Sequence, residues 1–160
     1  MKKIVVYYSY TGNTKKIANI IKEKLNCDIL ELTPKIPFSS NYQEVVDEYQ
    51  NNSIENKNVK INDIEINLEE YDEVIIGTPV WWYTVSPVVV TFLKKYNFDN
   101  KIIIPFATNA GWLGKTFKDI AKLCPNSKIE KEMNIVFESY SDKIKTNETE
   151  INNWIDSLKK

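Results

Sequence analysis

Five short runs of β-branched and aromatic residues, separated by helix-length amphipathic segments, restrict the fold of this chain more than any other feature. The runs are Lys3 to Tyr8, Asp28 to Leu32, Val74 to Thr78, Lys101 to Ala107 and Asn134 to Phe137, the last beginning as early as Ile129. They are short and nearly continuous in apolar character, the pattern of strands buried on both faces. Between the first two, Ile17, Ala18, Ile20, Ile21 and Leu25 line one helical face, with Lys15, Lys16, Lys22 and Glu23 opposite. Val88 to Tyr96 reads as a helix with Pro87 in its favoured first turn. Lys115 to Leu123 and Glu148 to Leu158 read as two more, the last placing Ile151, Trp154, Ile155 and Leu158 on one face. Alternation of this kind requires a mainly parallel sheet with helices on both faces. No linker or repeat divides residues 1–160, so one α/β domain is expected.

The stretch Thr33 to Asn67 is the least regular. Pro34 and Pro37 exclude an early helix there, and Tyr42 to Gln50 has the apolar spacing of one, through Val45, Val46 and Tyr49. Asn51 to Asn67 is polar and Asn-rich and carries no assignment, while Leu68 and Tyr71 are expected to pack beneath the next strand.

Composition removes several function classes. The chain has no histidine, which excludes His-based triads, imidazole acid–base catalysis and His metal sites. Lys plus Arg is 21 against Asp plus Glu 22, so no basic excess points to nucleic acid. The two cysteines, Cys27 and Cys124, form no CxxC pair and read as free thiols of a reducing compartment. No apolar stretch approaches membrane-spanning length, and a cytoplasmic protein is expected.

Ligands of open parallel sheets bind beyond the carboxyl ends of the strands, and three such ends carry unusual residues. Ser9-Tyr10-Thr11-Gly12-Asn13-Thr14 joins the first strand to the first helix. Free N–H groups and the helix dipole favour an anion there, by up to ~2 kcal/mol for a dianion. Gly12 permits a tight path, and Ser9, Thr11 and Thr14 bring hydroxyl donors. A simple N-cap would need only one of those hydroxyls. Pro79-Val80-Trp81-Trp82-Tyr83-Thr84-Val85-Ser86-Pro87, read as a loop after a strand ended by Pro79, exposes adjacent aromatics that a planar heteroaromatic ligand would cover. The bland alternative is that one Trp plugs the core. Thr108-Asn109-Ala110-Gly111-Trp112-Leu113-Gly114 is the third loop; its glycines let backbone N–H groups approach a ring edge, and Trp112 offers a second stacking face. The chain holds no GxGxxG, and Gly114-Lys115-Thr116 lacks the first glycine of a P-loop.

The three loops together resemble the flavodoxin family, in particular the branch whose second loop reads Pro-x-Trp-Trp. The resemblance extends over nearly the whole chain and implies a flavodoxin-like, doubly wound, five-stranded parallel sheet of order 2-1-3-4-5 with noncovalent FMN. It implies that Ser9, Tyr10, Thr11, Gly12, Asn13 and Thr14 hold the phosphate, that Pro79, Val80, Trp81, Trp82 and Tyr83 contact the ring, and that Thr108, Asn109, Ala110, Gly111 and Trp112 reach its edge. The function it implies is that of a monomeric electron carrier serving transient redox partner proteins, with an FMN-dependent NAD(P)H:quinone-type reductase as the alternative. The chain departs from its relatives in carrying Tyr83 where many have glycine after the paired Trp, which makes a backbone flip there costlier. It is also nearly neutral, and the three loops hold no Asp or Glu.

Overall fold

The structure is a computed structural model that describes residues 1–49 and 59–159. Its elements follow in the order β1 (Lys3–Tyr7), α1 (Asn13–Leu25), β2 (Asp28–Glu31), α2 (Tyr42–Tyr49), β3 (Glu73–Trp81), β4 (Thr84–Val85), α3 (Pro87–Lys95), β5 (Ile102–Asn109), α4 (Thr116–Leu123), β6 (Lys128–Ile129), β7 (Met133–Val136) and α5 (Glu148–Ser157). The sheet runs β2-β1-β3-β5-β6, with β7 beside β5 and β4 beside β3. All pairings are parallel except β3 with β4. The expected order 2-1-3-4-5 is therefore present, its fifth position shared by β6 and β7.

Each face of the sheet has its own core. Val5, Tyr7, Ile75, Ile104 and Phe106 point toward α1 and α5, where Ile17, Ala18, Ile21, Ile151 and Ile155 meet them. Val6, Val74, Ile76 and Ile103 point the other way, toward Val88, Val89, Phe92 and Leu93 of α3 and Ile120 of α4. The alternation of side chains along each strand makes both faces apolar at once. Leu68 and Tyr71 are buried beneath β3, as expected.

Three features differ from the sequence-based expectation. Pro79 does not end β3, which continues to Trp81 and turns back into β4, with Trp81 opposite Thr84 and Val80 opposite Val85. The partnership with β1 stops at Gly77, so Pro79 lies where its missing N–H removes no bond to that neighbour. The last strand is broken, because Lys131 has φ 54° and separates β6 from β7. The outer edge of β7 is capped at its end by the chain itself: the Val136 carbonyl accepts from Lys145 and Thr146 N–H, and Val136 N–H donates to Thr146 Oγ1 at 2.8 Å. The third is residues 59–67, which return beside Thr33 to Lys35: Pro34 pairs with Ile61, and Asn62 N–H donates to the Thr33 carbonyl at 2.9 Å. The helix expected over Tyr42 to Gln50 is present to Tyr49; Gln50 and residues 51–58 lie outside the described residues. Among the described residues, no helix is long and apolar enough to cross a membrane.

Candidate functional site

The carboxyl ends of β1, β3 and β5 meet at a cleft of about 440 Å³. It is lined by Tyr10 and Thr11 from the first loop, Pro79 to Tyr83 from the second, Asn109, Ala110 and Trp112 from the third, and Val45 of α2. None of these is a carboxylate or a lysine, so the wall is uncharged.

The first loop is shaped by Ser9, whose Oγ accepts from Gly12 N–H at 3.1 Å and Lys15 N–H at 3.2 Å. Gly12 takes φ 105°, which an L-residue resists, and a Cβ built there would meet no atom within 4 Å. The loop thus opens onto free space. No side chain caps α1 and no acidic residue stands in its first turn. The N–H groups of Asn13 and Thr14 have no acceptor among the described residues, which leaves two orphan donors at a positive dipole end. The side chains of this loop are already engaged. Thr14 is 1% exposed, with its Oγ1 2.7 Å from that of Thr108. Asn13 Nδ2 donates to the Ser141 carbonyl at 3.0 Å, and Lys16 Nζ to that of Asp142 at 3.0 Å. An anion would therefore meet backbone donors first, with Thr11 exposed beside them.

The second loop is a hairpin with a two-residue turn. Trp82 has φ 49° and Tyr83 φ 66°. Positive φ at both central residues matches the twist of the flanking strands, but Asn and Gly usually supply it. Bulky residues there cost roughly 1–2 kcal/mol each. The end of the third loop and the start of α4 hold them in place. Lys115 N–H donates to the Tyr83 carbonyl at 2.7 Å, Thr84 Oγ1 donates to Asp119, and Gly114 lies against Tyr83 so closely that a Cβ would come within 2.3 Å of its carbonyl oxygen. Trp81 is 7% exposed, set edge-on among Tyr8, Tyr10, Phe38 and Trp82 with centroids at 4.9 to 6.3 Å. Both readings of the aromatic run thus have a place: Trp81 is core, while Tyr83 and Trp112 stand on the cleft rim at 58% and 57% exposure.

Asn109 organises the third loop. Its Oδ1 accepts from Gly111 N–H at 2.8 Å and Trp112 N–H at 3.1 Å, and its Nδ2 donates to Asn134 at 2.6 Å. Those two amides turn inward to Asn109, so Gly111 shapes the loop, and Asn109, Ala110 and Trp112 supply its contacts with the cleft. Sequence reasoning names Val45 and Gly114 but not the place of Val45 in the cleft wall, the contact of Gly114 with Tyr83 or the packing of Phe38 on Trp81, which depend on partners distant along the chain. Ionisable groups with displaced pKa values lie outside the cleft lining: burial pushes the Cys124 thiol up to about 11, and the bond to Asp28 pushes Tyr71 up to about 12.

The family model described as Flavodoxin matches residues 2–158. The chain belongs to the flavodoxin family. A protein from Bacteroides eggerthii assigned to the flavoproteins is 24% identical, with a TM-score of 0.75 over 98% of this chain and 97% of that one. A flavoprotein from Lactobacillus acidophilus, solved in complex with FMN, is 22% identical with a TM-score of 0.66 over 96% and 97%. An oxidised flavodoxin from Bacillus cereus is 14% identical with a TM-score of 0.57 over 98% and 94%. At these identities the structures attest the fold. No curated protein matches the chain.

Proposed function

We propose that the cleft binds one FMN and that the protein carries electrons between partner oxidoreductases. The observation that carries this reading is the juxtaposition of two orphan amides at the start of α1 with an uncharged aromatic cleft. A phosphate fits the first and a flat, largely apolar ring fits the second. The Lactobacillus flavoprotein of the same fold binds FMN, which agrees with this assignment.

When bound, FMN supplies reversible one- and two-electron exchange. The residues of the chain would do the rest. Asn13 and Thr14 N–H and the Thr11 hydroxyl would hold the phosphate, with the α1 dipole adding up to ~2 kcal/mol. Trp82, Tyr83 and Trp112 would flank the ring and exclude water from part of it. The locked hairpin would hold those side chains still, so that little reorganisation accompanies binding. With no carboxylate on the cleft wall, the site would not oppose negative charge gained on reduction. We further propose that the protein works as a cytoplasmic monomer, its free thiols suiting a reducing compartment, and that partners dock transiently over the rim formed by Tyr83 and Trp112.

Titration of the flavin-free protein with FMN tests this. The expected result is saturable quenching of tryptophan emission and a rise in melting temperature. The loaded protein should exchange electrons with a flavodoxin reductase, yet oxidise neither NADH nor NADPH when given a quinone alone. Failure to bind FMN would overturn the site, and turnover of nicotinamide without a partner protein would overturn the carrier role in favour of a reductase.

A further inference from the structure

The cleft lies between two helices of opposite charge. Beside the first loop, α2 lends Val45 to the wall and exposes Glu44, Asp47 and Glu48 at i, i+3 and i+4 spacing. Beside the third loop, α4 and its cap residue expose Lys115, Lys118 and Lys122, a stripe at i, i+3 and i+7. The one acid of α4, Asp119, is buried and accepts from Thr84 Oγ1. Neighbouring α3 has no acidic residue, so neither helix shows a carboxylate to solvent.

The exposed apolar surface belongs to the lysine side. Lys115 N–H holds the Tyr83 carbonyl, Trp112 stands three residues before Lys115, and both rings are more than half exposed. On the other side Val45 is buried, Glu44 accepts from Ser39 Oγ, and Asp47 accepts from Gln43 Nε2 at 3.0 Å. Among the described residues neither Lys115 nor Lys118 is in an ion pair. Nor do their charges serve the helix. Lys115 caps α4 and Lys118 stands in its first turn, where the dipole disfavours a cation. Cations held against that local preference, next to exposed rings, are matched to an anionic surface outside the chain.

We propose that the redox partner is an acidic protein, which sets its carboxylates on Lys115, Lys118 and Lys122 and an apolar centre on Tyr83 and Trp112. This rests on the reading of the chain as an FMN electron carrier and names the kind of partner that reading leaves open. The carboxylates of α2 repel the same partner, so opposite charges at the two ends of the cleft fix which way round it docks. In each encounter one electron passes from the reduced partner, which is oxidised, to the bound flavin, which is reduced, and no covalent bond forms.

The test is stopped-flow kinetics of the FMN-loaded protein with two probe proteins. One is a reduced two-iron, two-sulfur ferredoxin of the plant type, an acidic donor; the other is oxidised cytochrome c, a basic acceptor for the reduced protein. Salt is raised from about 0.1 M, where charges act over about 10 Å, to about 1 M, where they act over about 3 Å. The contact face, and not the net charge of −1, then sets the response, whose sign within each pair does not depend on driving force. The rate with ferredoxin should fall about threefold or more, and the rate with cytochrome c should hold or rise. Lys118→Glu should slow the ferredoxin reaction about fivefold at the lower salt and less than about twofold at the higher. It should change the FMN dissociation constant by less than about twofold and lower Tm by no more than about 2 °C, since an acid suits the first turn of a helix. The salt response of the natural chain decides the matter even where the variant folds poorly. A ferredoxin rate that rises with salt, a cytochrome c rate that falls with it, or equal slowing of both reactions at both salts in Lys118→Glu would overturn the acidic partner and leave the carrier reading standing. If the loaded protein exchanges electrons with neither probe, that reading falls and this one with it.

Discussion

Replacing Gly114 with alanine tests whether the third loop locks the hairpin of the second. The added Cβ would lie 2.3 Å from the Tyr83 carbonyl oxygen, 2.4 Å from its Cβ and 2.7 Å from its Cα. Two of these atoms are backbone, so the clash cannot be relieved by rotating a side chain. Holding alanine at φ 57° costs about 1 kcal/mol. Overpacking adds about 1–3 kcal/mol. Losing the 2.7 Å bond from Lys115 N–H to Tyr83 adds about 1 kcal/mol. Together these give roughly 3–5 kcal/mol, a large share of a typical stability and a fall in Tm on the order of 10 °C. Gly111→Ala is the matched control. Its φ is 122°, yet nothing lies within 4 Å of the new methyl, so it carries backbone strain without the clash. Thermal melts by far-UV circular dichroism should rank Gly114→Ala well below Gly111→Ala. FMN affinity should fall in Gly114→Ala as the turn bearing Trp82 and Tyr83 is displaced. If the two variants melted within about 2 °C of each other, the turn would not be clamped in the way described.

Trp81→Ala should cost about 3–5 kcal/mol in urea unfolding, since it empties an aromatic cluster. Trp112→Ala should change stability by about 0.5 kcal/mol or less while weakening FMN binding, because Trp112 is mostly exposed at the rim. Thr14→Val should cost about 1–3 kcal/mol by stranding the Thr108 hydroxyl, and the double variant with Thr108→Val should recover part of that, as a double-mutant cycle by chemical denaturation would show. The Tyr71 pKa is raised to about 12 from 10.0, so the native state retains a proton that the unfolded chain releases. That stabilisation is complete below pH 10 and is lost as pH rises toward 12. Urea midpoints should fall over this window, and Tyr71→Phe should flatten that part of the decline.

The layered architecture was legible because burial on both faces leaves an unmistakable pattern in β1, β3 and β5, and because one stripe of α1 and of α5 is apolar. The three loops were legible because strand ends that carry hydroxyls, glycine and clustered indoles have few structural reasons to do so. The hairpin was hidden, since its turn holds Trp82 and Tyr83 where Asn and Gly would announce one, and Pro79 imitates a strand stop. The engagement of Thr14 by Thr108 and of Asn13 by Ser141 was hidden for another reason: each pair is set by tertiary packing across more than ninety residues. Asn109 shows the limit within a single loop. Its sequence context announces a turn, but not that its side chain will claim the amides of Gly111 and Trp112.

The chain's return over β7 bears on how the molecule behaves in crowded solution. An outermost strand left bare offers its amides and carbonyls as a template for any extended segment nearby. Here the interruption at Lys131 leaves only two brief pieces, and Lys145 and Thr146 occupy the outward amide and carbonyl of Val136 at the end of the second. A passing strand finds only short, interrupted pieces to extend on that flank, so the sheet is held near its own width and the protein can expose aromatics at one end with less invitation to copies of itself to join along the other.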